Sequence, residues 1–326
     1  MNSFVFPTRG ELTIQFAHVA YQLAAQFAKR ESGIKHFQTW SIEETADRIG
    51  EADILVTSGF WTNELLGNAK NLKLVQVCAA GYEQFDLNAL EAKGIKLANG
   101  RGVNVNAVSE HALALILAFT RQLHSARDRQ QRREWRGMIS DIPKREDELG
   151  GKTLLIYGLG AIGSRLANLG KVFDMHVIGV KRDTSHNDGT VHELHPPERL
   201  LELLPHADFV VLTCPLTPQT HNIINAEALR AMSPNGYLIN VSRGGCVDEP
   251  ALISALQAGE LAGAGIDTTV DEPLGQASEL WELDNVILTP HTAGETQAYE
   301  DNIVELLMTN MERLWRGEDS LVNQLL

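Results

Sequence analysis

The sequence predicts an α/β protein that contains two doubly wound parallel sheets, and three observations support this fold class. Short apolar segments alternate with helical segments through most of the 326 residues, which is the pattern of successive βα units. A long apolar helix and a polar segment interrupt the alternation near the middle of the chain. A glycine-rich turn opens the second series of units. Because a single core rarely grows beyond about 250–300 residues, we expect two domains, each Rossmann-like or flavodoxin-like.

In the first series, short buried strands are predicted at residues 52–57, 74–78 and 95–98. Each is a brief apolar run followed by a polar or glycine-containing turn. Residues 108–123 are predicted to form a helix that is apolar nearly all round and therefore buried. The polar segment 127–149 follows, and its composition is typical of an excursion outside the core.

The second series predicts six strands separated by helical or turn segments. Short apolar runs define these strands, which lie at residues 153–157, 176–180, 209–213, 237–241, 263–267 and 286–288. A final helix is predicted at about residues 297–316. This rhythm is typical of a doubly wound dinucleotide-binding domain.

The bulk composition argues against several classes of function. A net charge of −14 and a pI of about 5.2 disfavour a nucleic-acid-binding protein. Cys78, Cys214 and Cys246 lie far apart and form no CxxC pair, so neither a disulfide framework nor a structural zinc site is expected. His192 and His195 lack a third ligand, so we expect no metal. Without a secretory signal or a long apolar span, we expect a cytoplasmic protein that does not enter the membrane.

The glycine-rich turn follows the first strand of the second series and precedes a helix. Gly158 permits the tight turn, Gly160 lets the backbone approach a pyrophosphate, and Gly163 lets the helix pack closely on the strand. Ala161 and Ile162 complete the turn at the helix N terminus, where N–H groups and the helix dipole favour phosphate. The context of strand, turn, helix and strand therefore predicts a dinucleotide site.

The residues after the next strand indicate which dinucleotide is preferred. Lys181 occupies the position where NAD enzymes usually place an acid for the ribose diol, and Arg182 follows it. This basic pair would attract a 2′-phosphate, so NADP(H) is the expected cofactor. In the alternative interpretation Arg182 covers the adenine, Asp183 binds the sugar, and NAD(H) is used.

Polar side chains follow the last three predicted strands. Arg243, Asp267 and His291 each come directly after a strand, and Glu272 lies just beyond Asp267. Ligands bind at the carboxyl ends of strands in such sheets, so these residues are expected to converge. Histidine suits proton transfer because an imidazole titrates near neutral pH, Glu272 can hold that ring, and Arg243 offers a planar fork to a carboxylate. Together they predict hydride transfer to the carbonyl carbon of a 2-keto acid, or from the 2-carbon of the corresponding 2-hydroxy acid.

These motifs resemble the D-isomer-specific 2-hydroxyacid dehydrogenase family, in particular its glyoxylate/hydroxypyruvate reductase-like members. The resemblance covers residues 50–295 and includes CAAGYEQFDL, GVNVNAVSEHALALILAFTRQL, GLGAIG, CPLTPQT, INVSRGGCVDEPAL, GAGIDTTVDEPL and NVILTPHTAG. It implies a discontinuous substrate domain, formed by residues 1–103 and by the C-terminal helix in residues 296–326. Residues 104–295 would form the dinucleotide domain. A homodimer would be joined through about residues 100–150.

The resemblance also implies roles for individual residues. Arg243, Glu272 and His291 would be the catalytic trio. Backbone groups that receive the substrate carboxylate would belong to Ala79, Ala80 and Gly81. Further cofactor contacts would come from the adenosine loop, the nicotinamide surroundings and the carboxamide site: Cys214, Pro215, Thr220, Val241, Ser242, Asp267 and Ala293.

Two points stay open at the level of sequence. Trp61 either lines the substrate pocket or is an ordinary half-exposed loop aromatic. Glu110 and His111, at the start of the buried helix, either brace the site or, for Glu110, cap the helix. The alternative function is a dinucleotide-sensing, corepressor-like binding protein on the same fold, which a catalytic test would separate from an enzyme.

Overall fold

The computed structural model describes residues 5–318 and 320–326, which fold into two compact units. The first unit extends to Asn104 and includes Thr296–Leu326, and the second unit is Val105–Glu295. Each unit contains one β-sheet flanked by helices. The expectation of an α/β protein with two parallel sheets is therefore confirmed.

The strands of the first sheet are β1 (Thr13–Ala17), β2 (Lys35–Thr39), β3 (Ile54–Thr57), β4 (Leu74–Val77) and β5 (Lys96–Ala98). The strands of the second sheet are β6 (Thr153–Tyr157), β7 (His176–Val180), β8 (Glu193–His195), β9 (Phe209–Leu212), β10 (Tyr237–Asn240), β11 (Gly263–Ile266) and β12 (Val286–Leu288).

The helices, in chain order, are α1 (Leu23–Ala28), α2 (Ile42–Arg48), α3 (Leu87–Ala92), α4 (Val105–Thr120), α5 (Leu123–Arg132), α6 (Ala161–Val172), α7 (Leu200–Leu203), α8 (Ala226–Ala231), α9 (Glu249–Gln257) and α10 (Tyr299–Trp315).

Both sheets are parallel and differ in strand order. The first has the order β2-β1-β3-β4-β5, which is the flavodoxin-like arrangement. The second has the order β12-β11-β10-β9-β6-β7-β8, which is the Rossmann order extended by one strand. Because every strand of the second sheet runs the same way, all of its carboxyl ends meet at one edge. This edge carries the candidate site.

Burial on both faces explains why the inner strands of the second sheet, such as β6, are continuous apolar runs. In β6, Leu155 and Tyr157 face one hydrophobic cluster, whereas Leu154 and Ile156 face the other. A parallel sheet covered by helices on both sides requires apolar residues at successive positions. Helix α4 packs in the second cluster beside α6, in agreement with the burial expected from its composition.

Helix α4 ends earlier than the apolar pattern predicts. It spans Val105–Thr120 rather than residues 108–123, because Gln122 adopts a left-handed backbone with φ of 50° and terminates the helical path. Helix α5 follows and buries none of its residues. The expected excursion outside the core therefore includes a helix.

In the first unit, the C-terminal part of the chain packs on the sheet and extends its edge. In α10, the Tyr299 hydroxyl donates to the Cys78 carbonyl at 2.7 Å, and Asn310 Nδ2 donates to Gln76 Oε1 at 2.9 Å. The N–H of Leu325 donates to the Leu97 carbonyl at 2.8 Å, so the terminal segment pairs with β5. This pairing covers an otherwise open strand edge. Among the described residues, no helix combines the length and apolar composition needed to cross a bilayer.

Candidate active site

The three glycines of the turn after β6 have different steric surroundings. Gly158 has φ of +107°, and a Cβ there would lie 2.8 Å from the Cys214 backbone nitrogen. A Cβ on Gly163 would lie 2.1 Å from the Gly158 carbonyl oxygen, whereas a Cβ on Gly160 would meet nothing within 4 Å. Gly158 and Gly163 are thus required by protein packing. Gly160 faces open space, as expected where a ligand approaches the backbone.

The N terminus of α6 is available to an anion. Gly160 is its N-cap, and no side chain of the described residues caps the helix. Ala161 and Ile162 therefore begin a helix whose first N–H groups and positive dipole end point to the space beside Gly160. This arrangement fits a pyrophosphate.

Beyond β7, the side chains at the expected ribose position are exposed or partly exposed. Lys181 Nζ donates to the His186 carbonyl at 3.3 Å, and Arg182 is exposed. Asp183 Oδ1 accepts from the N–H and the hydroxyl of Ser185 at 3.0 and 2.6 Å. These hydrogen bonds from Ser185, with the nearby charge of Lys181, hold the pKa of the Asp183 carboxyl below its usual range. One of its two oxygens is thus already used in a local turn.

The loop after β9 contains Cys214 and is held by hydrogen bonds between its own residues. The Thr220 hydroxyl donates to the Pro215 carbonyl at 2.6 Å and accepts from the Thr217 N–H at 2.8 Å. Cys214 Sγ lies 4.0 Å from Cys246 Sγ, and both thiols are buried. Their hydrogen bond lowers the pKa of Cys246 and raises the pKa of Cys214. Sequence reasoning missed this pair, although each cysteine follows one of two neighbouring strands.

The turn after β10 presents Arg243. Val241 and Ser242 are buried, and the Ser242 hydroxyl donates to Asn240 Oδ1 at 2.8 Å. Asn240 Nδ2 in turn donates to the Arg243 carbonyl at 3.0 Å, which fixes the backbone of the turn. Arg243 Nη1 donates to the Ser242 carbonyl at 2.7 Å, and its other nitrogens have no hydrogen-bond partner among the described residues. The exposed guanidinium therefore retains donors for an anionic ligand.

His291 and Glu272 form a direct pair. His291 Nδ1 lies 2.7 Å from Glu272 Oε2, and the other carboxylate oxygen accepts from the Thr269 N–H at 3.2 Å. Both side chains are exposed, and His291 has a left-handed φ of 55°. Because Glu272 occupies Nδ1, Nε2 is the ring nitrogen left for a ligand oxygen.

Asp267 accepts several hydrogen bonds from the segment that contains His291. It is 2% exposed, and its Oδ1 accepts from the Thr289 hydroxyl at 2.6 Å and from the Thr292 N–H at 3.0 Å. The Ala293 N–H lies 3.1 Å from Oδ2 and 3.2 Å from Oδ1, and the Asp267 carbonyl accepts from the His291 N–H at 2.7 Å. Asp267 thus anchors the segment on both sides of His291. Thr289 was not singled out from the sequence.

The expected carboxylate-binding backbone lies after β4 in the first unit. The Ala79 carbonyl accepts from the Gly100 N–H at 2.8 Å, and the Ala80 carbonyl accepts from Asn99 Nδ2 at 2.6 Å. The N–H groups of Ala80 and Gly81 have no partner among the described residues. These two donors are therefore free to receive an anion.

Trp61 is buried, so it is not the half-exposed loop aromatic that one of the two interpretations expected. Its ring is 4% exposed and packs against Phe85 with ring centroids 4.9 Å apart, and Nε1 donates to Asn63 Oδ1 at 3.1 Å. The loop folds back because this large apolar surface is more stable inside the unit. Any contact of Trp61 with substrate has to use the small remaining exposed part of the ring.

The second unit therefore brings to one sheet edge a dinucleotide-type turn, a cationic side chain and a histidine–carboxylate pair. These features define a dinucleotide-dependent oxidoreductase. Residues 113–293 match the model of the D-isomer specific 2-hydroxyacid dehydrogenase, NAD binding domain. A glyoxylate reductase of Pyrococcus furiosus is 37% identical over 290 residues, which are 86% of this chain and 85% of that protein. The chain belongs to the D-isomer specific 2-hydroxyacid dehydrogenase family and is an oxidoreductase that acts on CH–OH donors.

Solved structures agree with this assignment. A D-isomer specific 2-hydroxyacid dehydrogenase family protein from Aeromonas salmonicida subsp. salmonicida has a TM-score of 0.82 and 28% identity, with 97% of this chain and 99% of that chain covered. An acyclic imino acid reductase in complex with NADPH and D-Arg has a TM-score of 0.81 and 25% identity, with 97% and 100% covered. The family's domain description and these neighbours support a nicotinamide dinucleotide cofactor.

Proposed function

We propose that this enzyme reduces a small 2-keto acid, of the glyoxylate or hydroxypyruvate type, to the D-2-hydroxy acid. The observation that carries the proposal is the 2.7 Å hydrogen bond between His291 and Glu272 at the sheet edge that also bears the glycine turn. It provides a proton donor beside a dinucleotide site. The similarity to glyoxylate reductase supports the substrate class.

Each polar group has one task in this reaction. Arg243 binds the substrate carboxylate and polarises the carbonyl, because its free N–H donors form a planar fork. The free N–H groups of Ala80 and Gly81 bind carboxylate oxygen. His291 donates a proton from Nε2 to the carbonyl oxygen, while Glu272 holds Nδ1 and stabilises the imidazolium that precedes transfer. A reduced nicotinamide, when bound, supplies the hydride.

The chain also fits the dinucleotide itself. Open space at Gly160 and the uncapped N terminus of α6 accommodate the pyrophosphate. We assign the loop containing Cys214, Pro215 and Thr220 to the adenosine half. We assign Val241, Ser242, Asp267 and Ala293 to the nicotinamide half.

A pair of histidine variants tests the proton-donor assignment. We expect His291→Ala to lower kcat by about 10²-fold or more, because proton transfer to the carbonyl oxygen is lost. His206→Ala is the matched control, since His206 is exposed and precedes β9, at the opposite edge of the sheet. Near-wild-type turnover of His291→Ala would remove this residue from the mechanism.

We propose NADP(H) as the preferred cofactor, with NAD(H) as a weaker alternative. Lys181 and Arg182 present positive charge where the 2′-phosphate would lie, and Asp183 is partly occupied by Ser185. Arg182→Ala should lower the ratio of kcat/KM for NADPH to kcat/KM for NADH by roughly tenfold, whereas Asp183→Asn should leave it nearly unchanged. A wild-type enzyme with higher kcat/KM for NADH would refute the preference.

We propose a homodimer joined through about residues 100–150, which include α4 and the segment that follows it. In it Trp135 is 99% exposed and Met138 is fully exposed, and Ile142 is also exposed. Large apolar side chains in this state mark a contact surface. We also place the enzyme in the cytoplasm, because its three cysteines are widely spaced in the sequence and form no CxxC pair, which is typical of a reducing compartment. A Cys214–Cys246 disulfide in protein isolated under alkylating conditions would contradict that placement.

A further inference from the structure

A threonine and a histidine stand behind the buried carboxylate of Asp267 in the second unit. Thr289 follows β12, and His111 lies in the second turn of α4, 178 residues away in sequence. His111 Nε2 is 3.0 Å from Thr289 Oγ1, and Thr289 Oγ1 is 2.6 Å from Asp267 Oδ1. His111 Nε2 also lies 3.7 Å from that carboxylate oxygen. The three side chains form one continuous polar chain.

The distances fix the direction of the hydrogen bonds in this chain. A hydroxyl has one proton, and an ionised carboxylate can only accept. The 2.6 Å contact therefore requires Thr289 to donate to Asp267, since two bare oxygens at this distance would repel. Thr289 is then the acceptor toward His111, and His111 must carry a proton on Nε2.

These hydrogen-bonded side chains are connected to the His291 segment through Asp267. Asp267 accepts from the backbone N–H groups of His291, Thr292 and Ala293, which hold the segment containing the proposed proton donor. His291 has φ of 55°, and a non-glycine residue with left-handed backbone persists only where its surroundings hold it there. A rotation of the Asp267 carboxylate would release the Thr292 and Ala293 contacts, which directly follow His291, whereas the His291 N–H donates to the main-chain carbonyl of Asp267. The Thr289 hydroxyl opposes that rotation because it fixes Oδ1.

We propose that Thr289 and His111 are positioning residues that orient Asp267 and, through it, the His291 segment. This inference rests on the proposed function, because it takes His291 as the proton donor. It also assigns different tasks to the two carboxylate oxygens. Oδ1 accepts hydrogen bonds from Thr289 and Thr292 within the protein. Oδ2 accepts only the Ala293 N–H among the described residues, so it can accept a further hydrogen bond from the carboxamide of the cofactor.

The substitutions Thr289→Val and Thr289→Ser separate the effect of the hydroxyl group from the effect of side-chain shape. Valine keeps the shape but removes the hydroxyl, whereas serine keeps the hydroxyl. We expect Thr289→Val to lower kcat about 10–100-fold, with KM for the keto acid within about threefold, and Thr289→Ser to restore kcat to within about threefold. His111→Leu should lower kcat about five- to tenfold. The primary deuterium isotope effect from 4-deuterated NADPH should rise in Thr289→Val and His111→Leu as the chemical step becomes limiting.

A second readout is independent of activity. The ¹⁵N chemical shifts of the His111 ring distinguish its protonated nitrogen, and we expect the proton on Nε2 in wild type. A proton on Nδ1 alone would overturn the inference, as would wild-type kcat in Thr289→Val and His111→Leu. Loss of activity that Thr289→Ser fails to restore would also overturn it. If wild type oxidised no reduced cofactor with any keto acid, the proposed function would fail, whereas the ring assignment would still test the hydrogen-bond chain.

Discussion

Alanine substitutions at two glycines of the same turn should have opposite consequences. A methyl group on Gly163 would lie 2.1 Å from the Gly158 carbonyl and 2.8 Å from Thr213 Oγ1, so α6 must move away from the strand. Overpacking of this kind costs about 1–3 kcal/mol, which corresponds to a Tm lower by roughly 2–12 °C for a folding unit the size of Val105–Glu295. We therefore expect Gly163→Ala to be a stability variant.

Gly160→Ala should instead be a binding variant. The backbone there has φ of −83° and ψ of −163°, which alanine adopts readily, and the added methyl meets no protein atom within 4 Å. Replacing a glycine N-cap costs at most about 1 kcal/mol, so the Tm of this unit should change by no more than about 4 °C. The methyl occupies the space assigned to the pyrophosphate and removes at least one charge-assisted hydrogen bond. That bond is worth about 1.5–3 kcal/mol, so Kd for NADPH should rise roughly 10–150-fold.

Thermal unfolding and titration of NADPH by calorimetry measure the two effects separately. We expect Gly163→Ala to lose stability, whereas Gly160→Ala should nearly keep its Tm and lose affinity. Wild-type affinity in Gly160→Ala would refute the assignment of the open space beside Gly160. An unchanged Tm in Gly163→Ala would refute the packing argument.

Three other substitutions test separate parts of the account. Arg243→Lys keeps the charge but loses the planar fork, so KM for the keto acid should rise at least about tenfold while Kd for NADPH changes little; an unchanged KM would show that Arg243 does not bind the carboxylate. Because the hydrogen bond from Cys214 lowers the pKa of Cys246, thiolate absorbance at about 240 nm should appear at a lower pH than for an ordinary thiol, and Cys246→Ser should abolish it. The double substitution Trp135→Ser and Met138→Ser should produce monomers in light scattering, whereas Trp281→Ser, outside the segment, should remain dimeric; dimers in both would exclude this surface.

The sequence pattern predicted most strands of the second sheet. β6 and β7 have the predicted bounds, because a sheet covered on both faces needs uninterrupted apolar runs, and the partly buried edge strand β12 also has them. β1 was missed although it is buried inside the first sheet. β2 and β8 were also not predicted; they are edge strands with polar residues at most positions, and their pairing rather than their composition defines them.

The motifs also indicated which residues gather at the sheet edge, but not how they contact one another. Neighbouring strand ends explain why Asp267 and His291 approach, since parallel order follows from the βα rhythm. The contact between His111 and Thr289 depends on how α4 packs on the sheet, which no spacing encodes. The burial of Trp61 likewise depends on a partner ring, Phe85, from a different loop.

The most direct test of the central claim is cofactor oxidation, followed by absorbance at about 340 nm, with glyoxylate or hydroxypyruvate as substrate. Purified wild-type enzyme should oxidise NADPH, and NADH more slowly, and chiral analysis of the product should give the D-2-hydroxy acid where the product is chiral. His206→Ala should behave as wild type, and His291→Ala should be nearly inactive. Failure of the wild-type enzyme to oxidise either cofactor with these acids and with a wider keto-acid panel would contradict the proposed reaction.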